Sequence, residues 1–98
     1  MTDFIPYGRQ IIDDEDIAAV TEVLRGDWLT TGPTVVAFEE AFADYVGSRY
    51  AVAVSNGTAA LHLAMLAADV GPGDEVIVPS LTFAASANCA RYVGGKHR

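Results

Sequence analysis

The chain has 98 residues, of which 51% are hydrophobic, and a formal net charge of −7. The negative charge disfavours nucleic acid and anionic membranes as partners, because both repel an acidic surface. The sequence has neither an apolar run of roughly 20 residues, as a membrane-spanning helix needs, nor the start of a signal peptide. Cys89 is the only cysteine, which excludes an internal disulfide and a cysteine metal cluster. We therefore expect a cytoplasmic domain, or a piece of one, that buries about 60–65% of its unfolded surface.

Two helices are predicted in the first half of the chain. Acidic residues 13–16 precede apolar residues at helical spacing and Gly26, which favours a helix whose first turn carries the negative charge. A metal site there is disfavoured, because no histidine or spaced carboxylate joins the cluster. A second helix is predicted between Pro33 and Gly47, and Trp28 before it could serve a site or cap that helix. Its apolar stripe, expected to be core, consists of Val35, Phe38, Phe42 and Tyr45.

The second half alternates strands and helices. A strand is predicted over residues 50–54, a helix over 57–68, a strand over 75–79 and a helix over 82–93. The glycine-rich segment 71–74 is a predicted turn. This alternation favours an α/β fold.

The corner formed by Ser55, Asn56, Gly57 and Thr58 is the first candidate site. The first amides of a helix have no intrahelical partner and are electropositive. Gly57 lets a ligand approach the backbone, while Ser55 and Thr58 add hydroxyl groups, so the corner could hold an anion such as a phosphate. An ordinary strand–turn–helix junction with an Asn-Gly turn explains the same residues, and both interpretations stay open.

Phe83 is the second candidate, because it follows the strand predicted over 75–79. It could stack on a flat heteroaromatic ring, although ordinary helix packing is the simpler explanation. Ligand sites in α/β sheets lie at the carboxyl ends of strands, so Phe83 and the Ser55–Thr58 corner are expected on one rim. His62 and Cys89 are expected to be packed helix residues rather than a base and a nucleophile.

Five segments occur in a particular order along the chain: Trp28–Pro33, Phe38-Glu39, Ala53–His62, Gly73–Ile77 and Thr82–Asn88. In this order and spacing they resemble the N-terminal part of the DegT/DnrJ/EryC1/StrS family of sugar aminotransferases. The resemblance implies an α/β fold, namely the N-terminal part of the large domain of a fold type I aminotransferase that depends on pyridoxal 5'-phosphate. That domain is a three-layer α/β/α structure and is expected to be incomplete here.

The resemblance also implies a division of the chain. One partial domain would span residues 1–98, with a helical lead-in over 1–48 and the first strand–helix units of the cofactor domain over 49–95. Residues 96–98 would form an atypical tail.

The resemblance assigns the candidate residues to a cofactor. Asn56, Gly57 and Thr58 would hold the phosphate of pyridoxal phosphate, and Phe83 would stack on its pyridine ring. No metal is implied.

The implied reaction transfers an amino group from glutamate to the 4-keto group of a nucleotide-linked sugar, whose binding site would include Thr30 and Thr31. Segments 5–10 and 85–90 most resemble members that act on a UDP-4-keto-6-deoxy-N-acetylhexosamine in a pathway of the pseudaminic acid type. Relatives that make UDP-4-amino-arabinose or dTDP-amino sugars share many of the same segments. The full-length protein would be a homodimer. A non-catalytic module that binds a phosphate ligand or a partner protein is the alternative.

The sequence departs from the family in its catalytic parts. It has no Glu-Asp-x-Ala-His segment and no Schiff-base lysine in a serine- and glycine-containing context, and its only lysine, Lys96, is not at that position. The chain is therefore expected to be an N-terminal fragment that is inactive alone. Its basic ending, Gly94–Arg98, suggests a frameshift, a truncated gene or an artificial boundary. Such a fragment is expected to leave strand edges and apolar surface uncovered, and to aggregate or pack loosely.

Overall fold

The computed structural model describes residues 8–98. The chain divides into two compact units, Met1–Ala51 and Val52–Arg98. Residues 1–7, which include the beginning of the segment 5–10, lie outside the described residues.

The first unit begins with helix α1, Asp14–Arg25. The Asp13 carboxylate accepts hydrogen bonds from the amides of Glu15 and Asp16, both at 3.0 Å. In return, the Asp16 carboxylate accepts a hydrogen bond of 3.1 Å from the Asp13 amide. This reciprocal arrangement is a capping box, which satisfies amides that the helix itself cannot pair. The prediction that the acidic cluster starts a helix is confirmed.

Replacing the cap should loosen α1 selectively. In Asp13→Ala the amides that the carboxylate now satisfies lose their acceptor, which should cost about 0.5–2 kcal/mol of helix stability. Hydrogen exchange of the α1 amides measures this loss as faster exchange. Asp14→Ala is the matched control, because Asp14 adds first-turn charge but is not part of the capping box. Equal acceleration in both variants would contradict a specific role for the cap.

Helix α2 spans Pro33–Val46, after the N-cap residue Gly32. Gly47 ends it with a φ of +67°, a left-handed conformation that glycine adopts without steric cost. The prediction that the apolar stripe of α2 is core is wrong for this chain, since the stripe is 40–90% exposed and Ala43 is the only buried residue among residues 8–51. The reason is that α1 makes little contact with α2 and leaves the stripe open.

The second unit contains helix α3, Gly57–Ala67, strand β1, Glu75–Val76, helix α4, Ala85–Tyr92, and strand β2, Lys96–His97. Both predicted helices and the second predicted strand are therefore confirmed with shorter bounds. The strand predicted over residues 50–54 is wrong, because no strand forms there. A strand requires a ladder partner, and the only pairing among residues 8–98 is between β1 and β2.

The two strands run parallel and are joined through α4, so β1, α4 and β2 form a βαβ unit. The Lys96 amide donates to the Asp74 carbonyl and the Arg98 amide to the Val76 carbonyl, both at 2.9 Å. The Val78 amide then donates to the Arg98 carbonyl at 3.1 Å. The backbone of residues 96–98 is therefore paired along the sheet.

The core of the second unit is built from small residues. Gly95 is buried and its amide donates to the Ala90 carbonyl at 2.9 Å. A Cβ at Gly95 would lie 3.1 Å from Val70 Cγ1 and 3.2 Å from that carbonyl oxygen, so the backbone turns into β2 at close range. The buried apolar residues of this unit are Ala85, Cys89 and Ala90.

Two residues weighed as catalytic groups are packed instead. The His62 ring lies edge-on to Tyr92, with the ring centroids 5.4 Å apart, where α3 meets α4. Cys89 is 2% exposed and its thiol donates to the Ser86 carbonyl at 3.1 Å. The prediction that His62 and Cys89 are packed helix residues is confirmed.

Large apolar residues are exposed in both units of the described chain, among them Ile17 at 57%, Phe38 at 58% and Leu81 at 82%. This exposure agrees with the expectation that apolar surface is left uncovered.

None of the helices among residues 8–98 combines the length and the apolar character needed to cross a membrane. The same residues hold no cluster of three or more histidine, cysteine or acidic side chains that could ligate a metal ion.

Candidate functional site

The N-terminus of α3 presents backbone amides to solvent. Asn56 is the N-cap, and its Oδ1 accepts a hydrogen bond of 2.9 Å from the Ala59 amide. The Ala60 amide donates to the Asn56 carbonyl at 3.1 Å. The amides of Gly57 and Thr58 lie between these bonds and have no acceptor among the described residues. They are the electropositive donors that an anion would meet.

Gly57 leaves the approach to these amides open. A Cβ built at Gly57 would have no atom within 4 Å, so packing within the chain does not require glycine there. Its φ also lies outside the left-handed region. Because Gly57 has no side chain, the space beside the helix N-terminus stays open, and a ligand phosphate can occupy it.

Both polar atoms of the Asn56 side chain form hydrogen bonds within the corner. Besides capping Ala59, its amide nitrogen donates to Ser55 Oγ at 3.1 Å. Thr58 is half-buried and Ser55 is exposed. The corner can therefore offer a ligand two amides and two hydroxyl groups, with Asn56 holding their arrangement.

Phe83 lies in the segment between β1 and α4 and is 77% exposed. Ordinary helix packing therefore does not account for its side chain in this chain. It lines an open cleft of about 330 Å³ together with Pro79, Ala87 and His97, so one face of the ring is available for stacking. Phe83 and the Ser55–Thr58 corner both belong to the second unit. The corner does not follow a strand, however. Of the two candidate sites, only Phe83 therefore lies after the carboxyl end of a strand, as expected for both.

Thr30 and Thr31 belong to the first unit, in the loop between α1 and α2, and both are exposed. Thr31 has a φ of +48°, a strained conformation for a β-branched residue. Trp28 lies against the start of α2, because a Cβ at Gly32 would come within 2.8 Å of Trp28 Cβ. The Cβ of Trp28 therefore packs at the N-cap of α2, while the residue as a whole remains 64% exposed.

His97 and Arg98 line the same cleft as Phe83, and neither was predicted from the sequence as a site residue. The parallel pairing of β1 with β2 brings them to this position. Arg98 Nε also lies 3.0 Å from Glu75 Oε1. Both residues follow Gly95 at the end of the chain. The strand there has only two residues, Lys96 and His97, which is too short to show the alternation typical of a strand.

The β–α–β unit and the open helix N-terminus define an α/β protein with a candidate anion site. A sequence model of the DegT/DnrJ/EryC1/StrS aminotransferase family matches residues 10–97. The chain belongs to this family.

Solved structures agree with this assignment. Spr1654 of Streptococcus pneumoniae, described as a sugar aminotransferase and solved in PLP and PMP forms, is 37% identical, with a TM-score of 0.80 over 96% of this chain and 24% of that chain. An aminotransferase of Psychrobacter cryohalolentis is 37% identical over 94% of this chain and 24% of that one, with a TM-score of 0.75. NtdA of Bacillus subtilis, solved with bound cofactor PMP, is 38% identical over 84% of this chain and 19% of that chain, with a TM-score of 0.71.

The chain thus spans about a quarter of the length of the solved relatives that it matches. The expected fold class is confirmed: the chain is a partial α/β domain of a fold type I aminotransferase.

Proposed function

We propose that this chain is the phosphate-binding segment of a sugar aminotransferase that uses pyridoxal 5'-phosphate. The observation that carries the proposal is the pair of open amides at Gly57 and Thr58 beside an unfilled space at the start of α3. Family membership supports it, because relatives that align with almost the whole chain were solved with PLP or PMP. The donors also suit the group, since amides at a helix N-terminus are typical ligands of phosphate.

In this proposal each residue of the chain has a defined task. The amides of Gly57 and Thr58 and the Thr58 hydroxyl hold the phosphate, and Asn56 holds the corner in shape. The exposed Phe83 ring covers one face of the pyridine ring and keeps water from it. When bound, the cofactor supplies the electron sink of amino transfer, while the protein supplies position and electrostatics.

The proposed reaction of the whole protein transfers nitrogen from glutamate to the 4-keto group of a nucleotide-linked sugar. Thr30 and Thr31 are proposed to contact that sugar nucleotide, because their strained, exposed loop offers two hydroxyl groups. Among the possible sugars we favour a UDP-4-keto-6-deoxy-N-acetylhexosamine, on the resemblance of residues 85–90. The whole protein is proposed to be a homodimer.

Pyridoxamine 5'-phosphate tests the proposed site, because it carries the phosphate but has no aldehyde to react with Lys96. We expect saturable shifts of the Gly57 and Thr58 amide resonances in NMR titrations of the chain. Pyridoxamine without phosphate is the control and should leave these resonances in place. Equal shifts with both compounds, or shifts confined to other amides, would refute the proposal.

A further inference from the structure

Trp28 lies in the loop between α1 and α2, and neither the proposed phosphate site nor the proposed stacking on Phe83 uses it. A Cβ added at Gly32 would come within 2.8 Å of Trp28 Cβ and 3.6 Å of its Cγ, so the glycine backbone packs against the start of this side chain. The residue is nevertheless 64% exposed. The loop therefore holds the tryptophan at its Cβ and leaves most of the residue open to a ligand.

The exposed tryptophan lines an open cleft of about 440 Å³ between the end of α1 and the start of α2. Glu22 and Asp27 are the charged residues of this lining, which contains no lysine, arginine or histidine. Arg25, the cation nearest to them in the sequence, lines a neighbouring cleft instead. Among residues 8–98, neither carboxylate forms an ion pair or a side-chain hydrogen bond. The cleft therefore combines an aromatic surface with two negative charges that no side chain of the described residues neutralises.

The helix ends beside the cleft also contribute to its electrostatic potential. α1 ends there, and the carbonyl end of a helix carries a partial negative charge. α2 begins there, and the amide end of a helix carries a partial positive charge, but its first residue, Pro33, has no amide hydrogen to offer a ligand. Because the two partial charges oppose each other, the full charges of the carboxylates decide the sign, and the cleft favours a cation.

We propose that this cleft binds an alkylguanidinium group, as arginine and its derivatives carry. A guanidinium is flat and positively charged and donates hydrogen bonds in a fixed fork, so it can stack on an indole ring while it donates to a carboxylate. The lining offers both partners, the indole of Trp28 and the carboxylates of Glu22 and Asp27. An ammonium group would match the charge but lacks the flat face, and a phosphate would be repelled. The proposed phosphate site belongs to the second unit, whereas this cleft lies in the first.

Fluorescence tests the proposal directly, because Trp28 is the only tryptophan of the chain. N-acetyl-arginine amide should change the tryptophan emission saturably at constant ionic strength, with a dissociation constant on the order of 1 mM for such exposed groups. N-acetyl-citrulline amide has nearly the same shape without the charge and should bind at least about tenfold more weakly. Agmatine, a free alkylguanidinium amine, distinguishes the possible sources of the group: tighter binding of agmatine indicates a free amine, and tighter binding of the arginine amide indicates an arginine within a peptide.

Two double variants separate the cleft from the general charge of the chain. Glu22→Gln with Asp27→Asn should weaken binding of the arginine amide at least about fivefold, because both carboxylates of the cleft are lost. Glu40→Gln with Asp44→Asn is the matched control, since it removes the same charge from residues of α2 that do not line the cleft. The control should change the affinity by less than about twofold, because salt screens distant exposed charges.

Saturable binding of either guanidinium compound that the cleft variant loses and the control variant keeps supports the proposal. It is overturned if neither compound changes the emission saturably, if the citrulline compound binds as tightly as the arginine compound, or if the two double variants bind equally well. Circular dichroism checks that both double variants keep their helices. None of these ligands carries a phosphate, so failure here would leave the proposed phosphate site untouched.

Discussion

Replacing Gly57 with aspartate is expected to abolish the binding of pyridoxamine 5'-phosphate. The new carboxylate would enter the open space beside the amides of Gly57 and Thr58 and repel the phosphate. We expect at least a roughly hundredfold loss of affinity, which corresponds to about 2.7 kcal/mol. The helix itself should persist, because a carboxylate in the first turn interacts favourably with the helix dipole. NMR titration measures the affinity, and circular dichroism measures the helix.

Gly57→Ala separates the space at this position from the charge. Its Cβ would meet no atom of the chain, and alanine favours helix, so we expect stability to rise by up to about 1 kcal/mol. Binding of the phosphate should nevertheless weaken, because the methyl group occupies the approach. Unchanged binding in both Gly57 variants would rule out this corner as the phosphate site.

Replacing Gly95 with alanine is expected to destabilise the second unit by about 1–3 kcal/mol, as overpacking of a tight core does. The added Cβ would lie 3.2 Å from the Ala90 carbonyl oxygen, which is backbone and cannot rotate away. That oxygen also accepts the Gly95 amide, so moving it would weaken the link between α4 and β2. Hydrogen exchange of the α4 amides should accelerate accordingly.

Gly57→Ala is the matched control for Gly95→Ala, since it adds the same methyl group where the chain leaves open space. It should not accelerate the exchange of the α4 amides. If Gly95→Ala did not accelerate that exchange either, the close packing between α4 and β2 would not contribute to stability.

Local residue chemistry predicted most of the helices. Asp13 and the acidic residues after it mark the start of α1, and Gly47 marks the end of α2, because caps depend on a few adjacent residues. The helix start at Gly57 was also predictable, as was the turn closed by the hydrogen bond of 3.1 Å from the Asp74 amide to the Gly71 carbonyl.

The strands were less predictable, because a strand depends on a distant partner. Residues 50–54 have the apolar composition of a strand but form none, while Lys96–His97 lack that composition and pair with β1. The predicted burial of the α2 stripe was wrong for a similar reason, because burial also depends on residues distant in the sequence. Phe38 and Phe42 have the spacing of core residues, yet the described residues do not cover them.

By itself, the sequence determined that the four helices form, where α1 and α3 begin, where α2 ends, and the α/β character of the chain, since these follow from neighbouring residues. Only the tertiary structure decided which apolar faces are covered, that β2 pairs with β1, and that His97 lies in the cleft of Phe83. Burial and strand pairing join residues far apart in the chain, so local patterns do not specify them.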